Sequence, residues 1–375
     1  MKILLVIDDL GSGGAQRQIS NLALALHSRG IDVAIALYHD SGHDIFRAGI
    51  EARGIPIFAI SKPLGFSPRV PAALATIVKE YRYDVVISAL HGPNFYCELA
   101  RLARPSVPLI VSERSHHVGE SNRLVGVMRR VMHAMASAVV CNSESQADWL
   151  RQFPWLKRKV LTIYNGYPGF EFTPLVPPGE GTLRLLAIGR ISQEKNPKML
   201  ALALAEVHRR TGKMPRLVWV GRVEGGAASQ AYHKEVCDFI DGHAVLKENW
   251  IWAGEQSNVQ PFLTESHALI HTASFEGLPN VVCEALMAAR PVLTSNVSDN
   301  ARLVAHGERG LVLPALTYAA IADAVQKLGH LPDTTWLEWS RNSRSFAIEH
   351  LTIDRMCDEY LEIVDRVRAK AARQP

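Results

Sequence analysis

The chain has 375 residues, 47% of them hydrophobic and 21% charged, which is the composition of a soluble globular protein large enough for two domains. A formal net charge of +4 is too small to predict wholesale coating of nucleic acid, so no nucleic-acid partner is expected. The five cysteines stand far apart without a CxxC pair, which argues against a disulfide framework or a zinc site and fits a reducing cytoplasm.

The first half of the sequence alternates short apolar runs with segments of helical periodicity. After the first run, Ile19, Leu22 and Leu26 recur at helical spacing, and Gly30 ends the pattern. Because the runs are apolar on both faces, we predict a parallel sheet covered by helices on both sides. No run reaches the roughly 18 apolar residues of a membrane span, so the first one is predicted as a buried strand and not as a signal peptide. The runs lie at residues 3–7, 33–37, 57–60, 84–89, 108–112 and 138–142.

The second half repeats this alternation after a linker rich in proline and glycine at residues 168–181. Residues 334–370 are almost all helical in pattern and carry an apolar stripe that needs a partner surface. The stripe consists of Tyr360, Ile363, Val364 and Val367, and the apolar runs lie at residues 183–189, 216–221, 268–272, 291–295 and 310–314.

We therefore predict an α/β protein with two doubly wound, Rossmann-like domains. The first covers residues 1–170 and the second residues 171–345, and a C-terminal helical segment at 346–375 packs back on the first. Ligands of such folds bind beyond the carboxyl ends of the strands, so the chemistry is expected in a cleft between the two sheets.

The strongest motif lies between two predicted strands, at residues 275–286 (FEGLPNVVCEAL). Pro279 suits the first turn of a helix, so Glu276 precedes the helix and Glu284 lies inside it. Free amides at a helix start bind phosphate, and two flanking carboxylates can accept hydrogen bonds from hydroxyl groups. The layout fits a diphosphate between two sugars; the alternative is a capping loop with a surface glutamate.

A second motif, residues 189–197 (GRISQEKNP), follows the first strand of the second half. It places Arg190 and Lys195 at the carboxyl end of that strand, where two cations can pair with a diphosphate. At about 4 Å and an effective dielectric near 20, one such contact is worth about 4 kcal/mol before desolvation, against about 0.3–1 kcal/mol for a helix dipole. The cations are therefore expected to dominate; the alternative is that they are solvated loop charges.

Together the two motifs, Gly-Arg-x4-Lys-Asn and Glu-x7-Glu, resemble the signatures of the retaining glycosyltransferase family 4, whose GT-B fold has two facing Rossmann-like domains. Residues 12–16 (SGGAQ) look like the glycine-rich loop of that family. Residues 346–364 look like its closing helix, which returns to the first domain. The resemblance extends over nearly the whole chain.

The resemblance implies that Arg190 and Lys195 hold the diphosphate of a nucleotide sugar and that Gly13 and Gly14 let the backbone of the first domain approach it. No Asp-x-Asp triplet occurs in the chain, so the cations and the helix end are expected to do the work of a divalent metal. We predict no metal site and no cofactor, with the nucleotide-sugar donor as a substrate.

Around the sugar, the resemblance implies that Glu276 binds hydroxyls of the transferred sugar, aided by backbone amides near Gly277 and Leu278. Glu284 would accept hydrogen bonds from the ribose hydroxyls, and the loop from Gly254 to Val259 would lie near the nucleobase. Retention in this family needs no protein nucleophile, because the departing diphosphate itself can take the proton of the acceptor.

Two positions depart from the family pattern. Gln16 stands where many relatives have Glu, which removes a charge facing the first helix. Arg114 stands where a Ser-Glu-His group often places a histidine near the reacting sugar, and a permanent cation cannot act as a general base. Arg114 could instead stabilise an acidic acceptor or the leaving phosphate, while His116 and His117 could substitute for the histidine or be merely solvated.

The first domain is expected to bind the acceptor. Residues 121–138 predict a helix with an apolar stripe and basic residues elsewhere, which suits an anionic membrane surface or a lipid-linked diphosphate. A core helix with solvated arginines is the alternative. The stripe is Leu124, Met128, Val131, Met132 and Met135, and the basic residues assigned to the membrane or the acceptor are Arg123, Arg129 and Arg130.

The sequence thus predicts a retaining, metal-independent hexosyltransferase that moves a hexose or N-acetylhexosamine from a UDP-sugar to a lipid-linked saccharide or other glycan acceptor in bacterial surface glycan synthesis. We expect it in the cytoplasm, peripheral on the inner face of the plasma membrane. A UDP-sugar epimerase of the same fold and a non-catalytic nucleotide-sugar-binding subunit remain alternatives. A nicotinamide-dependent dehydrogenase is disfavoured, because Gln16 stands where G-x-G-x-x-G needs its third glycine.

Overall fold

A computed structural model describes residues 1–39, 44–114 and 123–373 of the chain. The chain divides into two compact units. The first unit runs from Met1 to Gly166 and includes the C-terminal segment from Thr352 onwards; the second unit is Tyr167–Leu351. No helix in the described ranges is both long enough and apolar enough to cross a membrane.

The first unit is built on one parallel sheet in the order β3-β2-β1-β4-β5-β6-β7. Its strands are β1 (Lys2–Val6), β2 (Asp32–Leu37), β3 (Ile57–Ala59), β4 (Val85–Ala89), β5 (Leu109–Glu113), β6 (Ala138–Cys141) and β7 (Val160–Thr162). Six of these strands coincide with the predicted apolar runs. β7 was not predicted from the sequence; it is a strand of three residues at the edge of the sheet, and only its Val160 is buried.

Helices cover both faces of this sheet. They are α1 (Gly14–Ser28), α2 (Arg47–Glu51), α3 (Arg69–Tyr81), α4 (His91–Ala103), α5 (Arg123–Met132) and α6 (Glu144–Arg151). The predicted helix at 121–138 is shorter in the structure, because α5 passes into a 3₁₀ turn at His133–Met135 and β6 begins at Ala138.

The second unit repeats the design with a parallel sheet in the order β10-β9-β8-β11-β12-β13. Its strands are β8 (Arg184–Ile188), β9 (Arg216–Val220), β10 (Trp250–Gly254), β11 (Ala268–His271), β12 (Val292–Thr294) and β13 (Gly310–Val312). The edge strand β10 was not predicted from the sequence. Its Trp250 ring stacks on Trp219 of the neighbouring strand, with ring centroids 6.1 Å apart, so large aromatic side chains hold this edge in place.

The helices of the second unit pack on both faces of its sheet. They are α7 (Pro197–Thr211), α8 (Ala227–Asp241), α9 (Ala244–Asn249), α10 (Gln260–Glu265), α11 (Asn280–Met287), α12 (Asn300–Val304), α13 (Tyr318–Gly329) and α14 (Asp333–His350). The last helix of the chain, α15 (Ile353–Ala372), belongs to the first unit.

The terminal helical segment is therefore two helices and not one. α14 ends at His350, and Thr352 starts α15 by accepting a hydrogen bond from the amide of Arg355 at 3.1 Å. The chain passes between the units at this break, so residues 346–350, predicted to belong to the returning segment, lie in α14 of the second unit.

α15 packs against the first unit along its predicted apolar stripe. All four stripe residues are buried there, in one hydrophobic cluster with Leu22 and Leu26 of α1. Burying each such side chain contributes about 1.5–3 kcal/mol, so this cluster fixes the helix to the unit. The predicted fold, two Rossmann-like units with a C-terminal helix returning to the first, is confirmed.

Candidate active site

The two sequence motifs of the second unit meet at the carboxyl edge of its sheet. β8 and β11 are adjacent parallel strands, so the loops that follow them leave the sheet side by side. The Asn196 side chain donates a hydrogen bond to the carbonyl of Thr272 at 3.0 Å, and the amide of Ser274 donates to the carbonyl of Glu194 at 2.9 Å. The loops are thus bonded to each other through backbone groups, which sets the relative positions of their side chains.

This arrangement brings Lys195 and Glu276 into contact as an ion pair. The side chains are 14% and 15% exposed, so the pair is largely shielded from water yet open on one side. An ion pair in such a position is screened less than one on the surface, and loss of either partner leaves a poorly solvated charge.

His271, the last residue of β11, completes this group. Its Nε2 lies 3.0 Å from Glu276 Oε1, and its Nδ1 lies 3.3 Å from the Thr294 hydroxyl and 3.4 Å from the Asn300 amide. These partners fit the tautomer that carries its proton on Nε2. His271 was not predicted as a site residue, although its place at the carboxyl end of a buried strand was a usable signal.

The group keeps Glu276 ionised. Burial alone would raise the pKa of this carboxyl, but the hydrogen bond from His271 and the charge of Lys195 together lower it. Glu276 is therefore a carboxylate, an acceptor of hydrogen bonds, over the whole neutral range.

Close backbone packing shapes the loop that carries these cations. A Cβ on Gly221, whose φ is +147°, would lie 2.0 Å from the carbonyl oxygen of Gly189. The same carbonyl accepts a hydrogen bond from the indole of Trp219 at 2.9 Å. Only glycine fits at residue 221, so the ends of β8 and β9 are locked where the predicted Arg190–Lys195 loop begins.

Arg190 is the more exposed of the two predicted cations. Its side chain is 50% exposed and forms an ion pair with Glu224. It lies at the carboxyl end of β8, as predicted, but it does not join the Lys195–Glu276 pair.

The helix that follows Glu276 is α11, and its start agrees with the motif. Pro279 directly precedes the helix, and Asn280 is its first residue and accepts a hydrogen bond from the Tyr167 hydroxyl at 2.6 Å. Leu278 is buried, so only its backbone could serve a ligand. Glu284 lies in the second turn and is partly buried.

The remaining predicted donor residues of this unit lie in exposed loops or beside the motif. Gly277 accepts a hydrogen bond from the Ser298 hydroxyl. Gly254 ends β10 with a φ of +68°, and its carbonyl accepts from the amide of Gly221 at 2.7 Å. The nucleobase role assigned to the loop after Gly254 stays a prediction.

In the first unit, Gly13 and Gly14 form the start of α1. A Cβ on Gly13 would lie 2.0 Å from Gln16 Oε1, so the glycine lets the Gln16 side chain fold back. The Gln16 amide lies 3.2 Å from both Asp8 Oδ1 and Asp9 Oδ1. This explains the departure at residue 16, because a glutamate there would face two carboxylates.

Glu113, at the end of β5, belongs to a buried charged group that was not predicted from the sequence. His133 lies between two carboxylates, with Nε2 3.0 Å from Glu113 Oε1 and Nδ1 2.5 Å from Glu98 Oε1. Burial alone would lower the pKa of His133, but the hydrogen bonds and charges of Glu113 and Glu98 raise it to about 9. Burial likewise would raise the pKa of Glu113, yet hydrogen bonds from His133 and His91 hold it well below its usual range.

The group reaches the surface through His91, the first residue of α4. Its side chain is 43% exposed, and its Nδ1 lies 3.4 Å from Glu113 Oε2. β4 and β5 are neighbours in the sheet, which is why residues just beyond them meet. The first unit therefore presents the His91 ring, backed by the buried carboxylate of Glu113, at its carboxyl edge.

Arg114 forms a hydrogen bond outside this charged group. Its Nη1 donates a hydrogen bond to Asn165 Oδ1 at 2.7 Å, and the catalytic role assigned to it stays a prediction. His116 and His117, the alternatives for that role, lie outside the described residues.

The apolar stripe predicted for α5 is only partly buried. Met128 and Val131 are 49% and 54% exposed, and Val127 beside them is 49% exposed, whereas Met132 is partly buried. A core helix would bury these side chains, so the structure favours a surface role for this face.

The arginines of α5 lie around that face. Arg129 Nη1 is 2.6 Å from the His91 ring nitrogens, and the Arg130 guanidinium lies 5.1 Å from the ring centroid of Trp149 and 5.0 Å from that of Phe153. Arg123 begins the helix, and its side chain lies outside the described residues.

Comparison with known proteins agrees with this geometry. Residues 12–168 match the model of Glycosyltransferase Family 4, and residues 182–330 match that of Glycosyl transferases group 1. Together the two matches cover most of the chain and correspond to the two units. The chain is therefore built of two glycosyltransferase domains, the first of Glycosyltransferase Family 4 and the second of Glycosyl transferases group 1.

Individual relatives are distant but match most of the chain. One is the α-1,4-N-acetyl-D-galactosaminyltransferase of Campylobacter jejuni that acts on GalNAc-α-(1→4)-GalNAc-α-(1→3)-diNAcBac-PP-undecaprenol, 23% identical over 98% of this chain and 99% of its own. Another is the UDP-Gal:α-D-GlcNAc-diphosphoundecaprenol α-1,3-galactosyltransferase of Escherichia coli, 21% identical over 78% of this chain and 79% of its own.

Solved structures share the fold. HepE of Anabaena, in complex with UDP and glucose, matches with a TM-score of 0.77 and 19% identity over 97% of this chain and 99% of its own. The lipopolysaccharide outer core galactosyltransferase WaaB, in its apo form, matches with a TM-score of 0.75 and 19% identity over 98% of this chain and 99% of its own.

Proposed function

We propose that the chain is a retaining, metal-independent glycosyltransferase that moves a hexose or N-acetylhexosamine from a UDP-sugar to a lipid-diphosphate-linked saccharide. The observation that carries the proposal is the Lys195–Glu276–His271 group at the start of α11. This group places a shielded cation beside an ionised carboxylate. The cation can pair with a diphosphate, and the carboxylate can accept hydrogen bonds from sugar hydroxyls.

In this proposal Lys195 and Arg190 bind the diphosphate, and the carboxylate of Glu276 accepts hydrogen bonds from hydroxyls of the sugar. Arg190 exchanges its exposed partner Glu224 for a phosphate oxygen, which costs little because an exposed ion pair contributes only about 0–1 kcal/mol. His271 stays hydrogen-bonded to Glu276 and fixes its orientation. The positive charge of Lys195 and Arg190 offsets the charge that develops on the leaving diphosphate.

Retention is proposed without a covalent intermediate. Glu276 already holds two partners, His271 and Lys195, which makes it a weak nucleophile and a good anchor. The acceptor oxygen then attacks from the face that the diphosphate leaves, and its proton passes to the departing phosphate. The relatives from Campylobacter jejuni and Escherichia coli are named for the α-linkages that they make, which supports this stereochemistry.

A panel of donors tests the transferase. Release of nucleotide from UDP-, GDP- and ADP-sugars is measured in EDTA, with and without a lipid-diphosphate acceptor extract. We expect one UDP-sugar to turn over, faster with acceptor, and Lys195→Ala and Glu276→Ala to lose that turnover. Lys198→Ala is the matched control, because Lys198 lies three residues further on and pairs with Glu235 on the surface.

Other results would revise the proposal. Activity that EDTA abolishes and magnesium or manganese restores would overturn metal independence. Turnover of a UDP-sugar to its epimer without an acceptor would identify an epimerase. Binding of a nucleotide sugar that never turns over with any acceptor would identify a binding subunit.

We further propose that α5 docks the first unit on an anionic membrane, where a lipid-linked acceptor is found. The exposed apolar group of Val127, Met128 and Val131 lies beside Arg129 and Arg130, the combination that favours an anionic lipid surface. The protein would then be peripheral on the cytoplasmic face.

Sedimentation with phosphatidylglycerol vesicles tests this docking. Met128→Asp with Val131→Asp, and separately Arg129→Glu, should weaken binding, and added salt should weaken it in the native protein. Val176→Asp is the control, since Val176 is 71% exposed but lies in the second unit. If none of these changes affects sedimentation with the vesicles, the membrane proposal is wrong.

A further inference from the structure

The first unit holds a cavity of about 510 Å³ that the proposed function does not use. It lies where β5, β6 and β7 begin, at the amino-terminal edge of the sheet. Three cationic side chains line it, and none of the described residues that line it is acidic. The lining includes Arg101, Ser106, Ser137, Lys159 and Lys370.

The cationic groups have neutral partners. Arg101 Nη1 donates to the Ser137 hydroxyl at 2.7 Å, and Lys159 Nζ donates to the carbonyls of Ala134 and Ala136 at 2.5 and 2.9 Å. These bonds hold the two charges at the cavity wall without neutralising them. Within the described ranges, none of Arg101, Lys159 and Lys370 forms an ion pair.

The result is a concentration of positive charge. Burial lowers the pKa of Lys159, and the nearby charges of Arg101 and Lys370 lower it further. Arg101 and Lys370 lie in the last turns of α4 and α15, whose C-terminal ends each carry about half a negative charge. Two such half-charges offset only part of three full charges, so the cavity favours an anion.

We propose that this cavity binds a phosphate-bearing anion, either a soluble phosphate compound or the headgroup of a phospholipid. Arginine matches phosphate with two parallel donors, lysine supplies a point charge, and the Ser106 and Ser137 hydroxyls add donors. The site shares no residue with the donor site of the second unit, so a ligand here is an effector or an anchor and not the sugar donor.

Competitive acylation of lysines tests the proposal on the full-length protein. Inorganic pyrophosphate is added, the protein is treated briefly with an amine-acylating reagent, and mass spectrometry measures the modification of each lysine. Pyrophosphate should slow the acylation of Lys159 and Lys370 and leave Lys79 unchanged, because Lys79 lies in the last turn of α3 and outside the cavity lining. The acylation rate of each lysine is measured separately, so pyrophosphate bound at Lys195 does not change the result for Lys159 and Lys370. Failure of the transferase proposal would therefore leave this test valid.

Variants and vesicles complete the test. Arg101→Gln and Lys370→Gln should each raise the pyrophosphate concentration that half-protects Lys159 by about tenfold, as expected for one lost charge-assisted contact, and Lys79→Gln should not. Phosphatidylglycerol vesicles that protect Lys159 where pyrophosphate does not would assign the site to a headgroup; the reverse would assign it to a soluble compound. Protection by neither probe, or protection that survives both cavity variants, overturns the proposal.

Discussion

Lys195 and Glu276 form an ion pair although 81 residues separate them in the sequence. Neighbouring strands β8 and β11 deliver both side chains to one edge of the sheet, and backbone hydrogen bonds between their loops fix the contact. His271 approaches the same carboxylate from the end of β11. The site therefore depends on strand order, and its residues can be tested one by one.

Glu276→Gln should reduce kcat/KM for the donor by about 10- to 100-fold, the loss expected when a charge-assisted hydrogen bond to the substrate becomes a neutral one. The amide has the same shape, so the fold should persist. Steady-state kinetics with the identified UDP-sugar measure the effect. Glu194→Gln is the control: Glu194 also lies 3.4 Å from Lys195 but is not assigned to the sugar, and its loss should change kcat/KM by less than about threefold.

Gly221→Ala should destabilise the second unit by about 2–4 kcal/mol. The new Cβ would clash with the Gly189 carbonyl, and the φ of +147° is unfavourable for alanine. Urea unfolding measures the change in free energy, and donor binding should weaken with it. Gly225→Ala, in the same loop but with no atom within 4 Å of the added Cβ, should be nearly neutral. Equal effects of the two substitutions would refute this account of the loop.

Gln16→Glu should destabilise the first unit, because it places a third carboxylate beside Asp8 and Asp9. Burial already raises the pKa of Asp8, so the new charge would raise it further. A carboxyl pKa raised in the folded state costs nothing well below the unfolded pKa near 4; the cost develops as the pH rises from there to the folded pKa and is constant above it. The deficit in unfolding free energy should therefore be larger at pH 7 than near pH 4, where the carboxyls begin to be protonated. Gln16→Met, which lacks the charge, should show no such pH dependence.

His133→Gln should show the opposite dependence on pH. The pKa of His133 is raised to about 9 in the folded protein against 6.5 in the unfolded chain, so its stabilising effect is complete below pH 6.5 and is lost as the pH rises through 9. The difference between these two pKa values corresponds to about 3 kcal/mol of unfolding free energy. Hydrogen exchange of the β5 peptide reports this locally: the variant should exchange much faster than the native protein at pH 6 and nearly equally at pH 9.5. A difference that does not shrink with pH would mean that His133 is neutral.

Several features of the site were visible in the sequence because they are local. Arg190, Lys195, Glu276 and the proline before α11 are short motifs beside predicted strands, and their positions follow from strand polarity. His271 and Glu98 escaped notice because each looks like an ordinary strand or helix residue, and His133, which the sequence places among the basic residues of the predicted helix at 121–138, is buried between two carboxylates. Their partners come from other elements, so only packing reveals them.

The sequence alone determined the class of fold, because apolar runs and helical periodicity report burial residue by residue, and it determined the family through two compact motifs. The tertiary structure alone decided which charges meet. The order of strands in the second sheet brings Lys195 into contact with Glu276, while Arg190 forms an ion pair with Glu224. It also gathered Arg101, Lys159 and Lys370 around one cavity. The physical reason is that the energy of charges depends on separation and burial in space, and neither quantity is encoded by spacing along the chain.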